Sequence, residues 1–324
     1  MFTYQFIVIV VLAVMASSVF TSIEIPILKH KQFQQFIRDE GPKSHKKKEG
    51  TPTMGGIAIY GAIIIVTLIG TKPTQDTAVL LIFGILYGLI GFLDDYIKVT
   101  QKHNLGLRAW QKLVLQIILS ALFGFYIVKY TSLGTNVWIP FIDKDVDFGM
   151  WFIPFVAFVI VAMANSVNLT DGLDGLCSGV SAIFAFAFAL IADHFASYPS
   201  AVYLLAITGA CIGFIIFNKY PAKVFMGDTG SMALGGGMAA AVILTKAELL
   251  IPFVGLVFVV EALSVIIQVV SFKTTGKRVF RMAPIHHHFE LGGMKEPNVV
   301  KMFWLIAAVC CVIGLGIMWS AAIR

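Results

Sequence analysis

The chain has 324 residues, of which 58% are hydrophobic and only 13% are charged, and its mean hydropathy is +0.86. Soluble domains carry about 25% charged residues, so this composition excludes an ordinary soluble protein and predicts an integral protein of the lipid bilayer. The net charge of +6 comes from basic residues in short loops between apolar stretches. That distribution fits membrane topology and anionic phosphates, and we predict no nucleic-acid partner.

Ten apolar stretches follow one another along the chain, several near the length of about 20 residues that spans a bilayer. They predict an all-α polytopic membrane protein with ten transmembrane helices. No linker or internal repeat separates them, so residues 1–324 are predicted to form a single membrane domain. The stretches lie near residues 2–28, 55–70, 78–93, 112–130, 151–167, 175–193, 200–217, 231–245, 249–272 and 299–320.

Basic residues concentrate in alternate loops. Loops 29–54, 94–112, 218–230 and 272–301 contain 19 of the 24 Lys and Arg residues. The positive-inside rule places these four loops in the cytoplasm. Because successive loops alternate sides, the loop near 168–175, which has no basic residue, is the fifth cytoplasmic loop. Both termini are then extracellular. The outer segment 131–150 alternates in polarity around a glycine and a proline, which allows a small β-hairpin.

The first chemical motif is a pair of carboxylates, Asp94 and Asp95, at the end of the third stretch. Adjacent carboxylates at a membrane boundary repel each other and are costly to desolvate. Either Lys98, one helical turn away, or a divalent cation would offset their charge. The alternative is a solvated helix end without function.

The second motif follows the fifth stretch, where Asn168, Asp171 and Asp174 recur every three residues. A helical turn would align these side chains on one face. Gly172 and Gly175 let the backbone approach a ligand closely. The alternative is that Asp171 or Asp174 only caps the sixth helix.

The third motif precedes the eighth stretch. Asp228 lies between two glycines just before a helix, where a carboxylate can hold Mg²⁺ that bridges phosphate oxygens. Phe225, an aromatic residue in a polar loop, is placed either to stack on a base or to anchor the loop at the membrane interface.

Further polar residues lie in the first and last cytoplasmic loops and in the ninth stretch. Lysines before a Thr- and Gly-rich segment near residue 51 suit phosphate binding, although topology alone would also require them. His286, His287 and His288 are consecutive and cannot all point the same way, so we favour phosphate or sugar contact over zinc. Glu261 and Gln268 share a helix face that should meet protein or a water-filled cleft rather than lipid.

Five segments together resemble a known family. They are EGPKSHKKKEGTPTMGG, GFLDDYIK, NSVNLTDGLDGL, FNKYPAKVFMGDTGS and APIHHHFE. The sequence resembles the phospho-N-acetylmuramoyl-pentapeptide transferases, a branch of the polyprenyl-phosphate N-acetylhexosamine-1-phosphate transferase superfamily. The DD, NxxDGxDG and GD motifs are typical of the superfamily, whereas TPTMGG and PIHHHFE are typical of the branch.

The resemblance implies a reaction and a location. Phospho-MurNAc-pentapeptide would pass from UDP-MurNAc-pentapeptide to undecaprenyl phosphate, giving lipid I and UMP with Mg²⁺ as cofactor. This is the first membrane step of peptidoglycan synthesis and so serves cell wall biogenesis, cell shape and cell division. The enzyme would be a multi-pass protein of the bacterial inner (cytoplasmic) membrane, with a cytoplasmic active site and a homodimeric state.

The resemblance also implies site residues. Asp228 corresponds to the metal ligand, Asp94 and Asp95 to the catalytic pair with Asp94 activating the lipid phosphate, and His287 to a further catalytic residue. His286 is expected to be structural. The substrate-binding residues would be Lys48, Thr53, Lys98, Lys112, Asn168, Asp171, Gly172, Asp174, Asn218, Phe225, Gln268, His287 and His288.

Three other functions and two mechanisms stay open. A sibling transferase would move GlcNAc-1-phosphate, a secondary transporter would carry ionisable residues near the bilayer midplane, and a scaffold would have no activity. Within the transferase, either the lipid phosphate attacks the β-phosphorus directly, or an aspartate first forms a covalent phospho-sugar intermediate.

Overall fold

A computed structural model describes residues 4–34, 48–101 and 105–322 of the chain, which are mostly helical. Part of the predicted cytoplasmic charge lies outside these residues, namely Arg38, Lys43, Lys46, Lys47 and Lys102, as does the terminal Arg324.

Each predicted apolar stretch coincides with helical structure. Eight of the described helices are long and apolar enough to cross a membrane, which is the pattern of a polytopic membrane protein. The full count of ten spans and their orientation stay predictions. The helices are α1 Tyr4–His30, α2 Gly56–Gly70, α3 Gln75–Gln101, α4 Ala109–Tyr130, α5 Phe152–Thr170, α6 Leu176–His194, α7 Tyr198–Asn218, α8 Gly227–Leu244, α9 Ile251–Val254, α10 Leu256–Thr275, α11 Ile285–Leu291 and α12 Glu296–Ala322.

The ninth apolar stretch is interrupted. Short 3₁₀ turn Glu248–Leu250 and helix α9 precede a break at Gly255, after which α10 begins. A Cβ at Gly255 would lie 2.9 Å from the Phe184 ring, so the chain passes close to α6 at this break. The sequence did not predict the interruption, because apolar character continues through it.

Two short strands occupy the segment in which a hairpin was predicted. Strands β1 Asn136–Ile139 and β2 Lys144–Asp147 pair antiparallel, with Asn136 opposite Asp147. The Trp138 indole N–H donates a 2.8 Å hydrogen bond to Asp143 and ties the turn to the first strand. The side of the membrane on which this hairpin lies stays a prediction.

Helix α8 lies at the centre of the bundle, with its residues buried from Thr229 to Leu244. Three consecutive glycines allow this burial. Cβ atoms added at Gly235, Gly236 and Gly237 would lie 2.6, 2.4 and 2.2 Å from atoms of α5, α3 and α7, respectively. Small residues let helix backbones approach closely in membranes, so α8 can contact three neighbouring helices at once.

The site is positioned by the contact between α3 and α8. A Cβ at Gly91 would lie 2.0 Å from the backbone oxygen of Asp228, so the two helices touch backbone to backbone. Asp94 and Asp95 follow one turn later on α3. The close approach therefore brings the carboxylates of two helices together at one end of the bundle.

Candidate active site

Three aspartates form an acidic cluster where α3 and α8 meet. Oxygen atoms of Asp94, Asp95 and Asp228 all lie within 4.8 Å of one another, the one such group of possible metal ligands among the described residues. Asp94 and Asp95 are buried, with 1% and 4% of their surface exposed. Carboxylates so close together and so shielded from water need positive charge nearby.

Two lysines supply that charge. The Nζ of Lys98 lies 2.5 Å from Oδ2 of Asp94 and 3.0 Å from Oδ2 of Asp228. The Nζ of Lys112 lies 3.0 and 2.6 Å from the same two atoms. Burial opposes ionisation of Asp228, but the two ammonium groups lower its pKa well below the usual range. The sequence pointed to either Lys98 or a divalent cation to offset the negative charge of the acidic pair. Lys98 does so, and Lys112 contributes a second positive charge.

The two carboxylates of α3 have different partners. Asp95 accepts hydrogen bonds from the backbone N–H groups of Asp228 and Thr229, at 3.2 and 2.8 Å, and from the Thr229 hydroxyl at 2.7 Å. It therefore caps the N-terminus of α8, whose first N–H groups have no partner within the helix. Asp94 accepts one N–H from Leu107, and its other oxygen faces the lysines. Sequence reasoning missed Thr229, although it directly follows Asp228 in the motif.

Asn168 and Asp171 join the cluster from α5 and the turn after it. The Asn168 amide donates 2.9 Å hydrogen bonds to Asp228 and to Ser231. Asp171 accepts the backbone N–H of Gly227, and burial, followed by the charge of Asp228, raises its pKa to about 8. Asp171 is therefore a weaker acid than Asp228, so neighbouring carboxyl groups in the site differ in acidity.

The loop before α2 contacts the start of α8. A Cβ at Gly227, which has a φ of +73°, would lie 2.6 Å from Oδ2 of Asp95 and 3.0 Å from Oγ1 of Thr53. The hydroxyl of Thr53 thus lies beside the acidic cluster. The backbone oxygen of Phe225 accepts the N–H of Gly55 at 2.9 Å, and the Phe225 side chain is half-buried.

Asp174 lies in a second group, which corrects the predicted helical alignment. Helix α5 ends at Thr170, so Asp174 does not continue the face of Asn168. Lys48 places its Nζ 2.7 Å from Asp174 and 2.5 Å from Glu296, and Glu296 also accepts the backbone N–H of Asp174 at 2.8 Å. Sequence reasoning missed Glu296, since no motif distinguishes this first residue of α12.

Asn218 fixes the start of α6. Its amide oxygen accepts the N–H of Gly175 and the hydroxyl of Ser178, both at 3.0 Å, and its amide nitrogen donates to the Val224 oxygen at 2.9 Å. Gly175, with a φ of +81°, is the N-cap of α6 and has no side chain of its own with which to cap it. The alternative that Asp171 or Asp174 serves only as the cap of this helix is therefore wrong.

The three histidines point to different partners, as their consecutive positions predict. The ring of His286 reaches inward to a carboxylate of α10, and His287 and His288 have partners on their own loop. The Nδ1 contacts are His286 to Glu261 at 2.9 Å, His287 to Glu290 at 3.3 Å, and His288 to the Arg281 N–H at 3.2 Å.

The histidine segment touches the loop that carries Asp171. A Cβ at Gly172 would lie 2.2 Å from Nε2 of His286, so the imidazole packs directly on this glycine. Gln268 of α10 exchanges three hydrogen bonds with the backbone of Val279 and Phe280, at 2.9 to 3.0 Å. Glu261 and Gln268 therefore both contact protein, as predicted.

The acidic cluster fits a hard divalent cation. Mg²⁺ takes oxygen ligands, and it is commonly held by one or two carboxylates together with substrate phosphates. Asp94, Asp95 and Asp228 provide such oxygens within 4.8 Å of one another. Lys98 and Lys112 carry their ammonium groups on flexible four-carbon stems and can bind phosphate instead of carboxylate.

Comparisons with known proteins match most of the chain. Residues 77–246 match the family model Glycosyl transferase family 4, and residues 48–59 match Phospho-N-acetylmuramoyl-pentapeptide-transferase signature 1. Proteins named phospho-N-acetylmuramoyl-pentapeptide-transferase are similar over nearly their whole length. That of Bacillus subtilis (strain 168) is 49% identical over 310 residues, which cover 94% of this chain and 95% of the relative. Those of Desulfitobacterium hafniense and Bacillus cytotoxicus are 49% and 52% identical, covering 94% and 90% of this chain and 95% and 91% of the relatives.

Proposed function

The chain belongs to the phospho-N-acetylmuramoyl-pentapeptide transferase family, and we propose that it transfers phospho-MurNAc-pentapeptide from UDP-MurNAc-pentapeptide to undecaprenyl phosphate, giving lipid I and UMP. The observation that carries this proposal is the cluster of three carboxylates and two lysines at the ends of membrane helices. A water-soluble diphosphate and a lipid phosphate can meet at that depth. The site would face the cytoplasm from the bacterial inner membrane.

We propose Asp228 as the ligand of a Mg²⁺ ion, with the neighbouring oxygens of Asp94 and Asp95 close enough to assist. When bound, the cation would neutralise charge on the transferred phosphate. Lys98 and Lys112 would then turn their ammonium groups from the carboxylates to the phosphates of the two substrates. Both lysines already bridge Asp94 and Asp228, so each needs only a small side-chain movement.

Asp94 is the better placed of the two α3 carboxylates to take the proton from the lipid phosphate. Asp95 is engaged by three donors at the start of α8, whereas Oδ2 of Asp94 is held by the ammonium groups of Lys98 and Lys112. When those lysines turn to phosphate, Asp94 gains basicity and a free oxygen. These contacts support general-base activation by Asp94, which is also compatible with direct attack on the β-phosphorus.

The remaining predicted residues would hold the donor. Asn168 and Asp171 border the acidic cluster, and Gly172 follows Asp171 and packs against His286; these three residues suit the nucleotide end. Thr53 would contact phosphate, and Lys48 and Asp174 the sugar–phosphate end. The partly exposed side chains of Phe225 and His288 and the largely buried ring of His287 would contact uracil and sugar. Asn218 and Gln268 would act by shaping the pocket, because backbone groups already occupy their amides.

A donor comparison tests the function. Purified protein in detergent with undecaprenyl phosphate and Mg²⁺ is given UDP-MurNAc-pentapeptide or UDP-GlcNAc, and UMP and lipid product are measured. We expect product only from the first donor. Product from UDP-GlcNAc alone would identify the sibling transferase, and transport of a solute without UMP would identify a transporter.

A substitution tests the site. Asp228→Asn should abolish lipid I formation, because the amide removes the anionic ligand, while the thermal unfolding midpoint stays close to that of wild type. The matched control is Asp145→Asn, which changes an exposed aspartate of β2 and should leave turnover unchanged. Wild-type turnover in Asp228→Asn would contradict the assignment.

A burst experiment separates the two mechanisms. In double displacement an aspartate attacks the β-phosphorus and UMP leaves before any acceptor binds. An amount of UMP equal to the amount of enzyme should therefore appear in the absence of lipid. Direct attack releases no UMP until undecaprenyl phosphate is added. We expect no burst, since the described contacts favour Asp94 as a base.

A further inference from the structure

A buried acid–imidazole pair lies between the apolar helix α10 and the histidine segment. Glu261 and His286 approach to 2.9 Å, and both side chains have 0% of their surface exposed. Glu261 belongs to a helix that is long and apolar enough to span the membrane. A carboxyl group at such a place is costly unless a partner holds it, and partnered ionisable groups in membrane helices usually serve function.

The orientation of the His286 ring depends on Glu261. Nδ1 contacts the carboxylate, whereas Nε2 is buried and has no hydrogen-bond partner among the described residues. Nε2 instead faces Gly172, where an added Cβ would lie 2.2 Å away. The contact with Glu261 is therefore the polar anchor that fixes how the ring packs on the glycine.

The ring joins two parts of the proposed donor site. On one side, His287 follows in the chain, with its ring centroid 4.1 Å from that of His286. On the other side, Gly172 follows Asp171, whose carboxyl accepts the backbone N–H of Gly227 at the start of α8. A shift of His286 would thus change the spacing between the histidine segment and the acidic cluster.

We propose that Glu261 is a positioning residue for the transfer, acting through His286. It holds the imidazole as a spacer between the histidine segment and the 171–174 loop, so that both face the same nucleotide-sugar donor. This inference rests on the proposed function, because it concerns the geometry of that donor site. It predicts that a residue remote from the phosphates controls donor use and leaves acceptor use unchanged.

Substitutions at Glu261 test the proposal. Glu261→Gln keeps the length and can bond either tautomer of the ring, so kcat/KM for the donor should stay within about 3-fold of wild type. Glu261→Leu has no polar group, and Glu261→Asp is shorter by one methylene. Each should lower donor kcat/KM by about 10- to 100-fold, the effect of a displacement near 1 Å, with the KM for undecaprenyl phosphate unchanged.

Ser264→Ala is the matched control. It removes a buried hydroxyl that bonds the backbone oxygen of Glu261, without touching the carboxylate–imidazole contact, and should leave turnover unchanged. Thermal unfolding in detergent identifies any variant that fails to fold. Since Glu261→Asp keeps the carboxyl group, it keeps the test decisive if Glu261→Leu is unfolded.

A double-mutant cycle distinguishes positioning through His286 from a separate effect. His286→Asn should lower donor kcat/KM, and adding Glu261→Asp to it should cause no further loss. Independent, multiplicative losses, or wild-type donor kcat/KM in Glu261→Asp, would overturn the proposal. Failure of the wild-type protein to use UDP-MurNAc-pentapeptide in the same assay would instead refute the proposed function, so the two failures are distinguishable.

Discussion

Gly91 should be the residue at which a single added methyl group does most harm to the acidic cluster. A Cβ at this position would lie 2.0 Å from the Asp228 backbone oxygen and 2.7 Å from the Thr229 nitrogen. These are backbone atoms, so no side chain can rotate away from the clash. Gly91→Ala must therefore push α3 and α8 apart at the point where they bring the carboxylates together.

The size of the effect follows from the separation. Ordinary contact begins near 3.4 Å, so the helices must part by about 1 Å or more. Overpacking of this kind costs about 1–3 kcal/mol of stability. A displacement of about 1 Å in a catalytic constellation costs about 100-fold in rate. We thus expect a folded protein with a kcat about one hundredth that of wild type. Its affinity for Mg²⁺ should also be lower, so that half-maximal activity needs a higher Mg²⁺ concentration.

Gly88→Ala is the matched control, one turn earlier on the same helix face. Its Cβ would lie 3.2 Å from the Ala233 Cβ, a distance that a few tenths of an ångström relieve. Both substitutions raise helix propensity equally, so that contribution cancels between them. The assay is UMP release over a Mg²⁺ titration, with thermal unfolding measured alongside. Equal activity in Gly91→Ala and Gly88→Ala would refute the argument that helix approach sets the cluster.

Three further outcomes follow from the described contacts. Glu296→Gln removes one of two carboxylates on Lys48 and should raise the donor KM about 10-fold; an unchanged KM in steady-state assays would speak against the Lys48 group. Thr229→Val removes the hydroxyl bonded to Asp95 and should lower the free energy of unfolding by about 1 kcal/mol, so an unchanged unfolding midpoint would count against the cap. Chelation with EDTA should stop turnover and added Mg²⁺ restore it; turnover that survives exhaustive chelation would contradict a metal-dependent site.

The helices were largely predictable because their signal is local. Every apolar stretch became helical, since a chain in lipid must satisfy its backbone hydrogen bonds internally. The exact helix ends and the breaks between helices were not predicted. Helix α3 continues to Gln101, past the predicted end at residue 93, where the side chains become polar and hydropathy no longer marks the helix. The break at Gly255 and the short helix α11 also depend on packing rather than on hydropathy.

The site was predictable in its residue types but not in its pairings. Charge repulsion within the Asp94–Asp95 pair indicated a cationic partner, and the structure supplies Lys98. The capping of α8 by Asp95 and the link from Lys48 to Glu296 join segments more than 100 residues apart. No spacing pattern encodes such contacts, since they arise only when the helix ends meet.

The most direct test of the central claim is the binding of a divalent cation to the acidic cluster. Mn²⁺ can be titrated into purified, metal-free protein and followed by electron paramagnetic resonance. We predict saturable Mn²⁺ binding in wild type and in Asp145→Asn, and its loss in folded Asp228→Asn. Equal Mn²⁺ binding in Asp228→Asn and wild type would contradict the claim that Asp228, with Asp94 and Asp95 beside it, holds the cation.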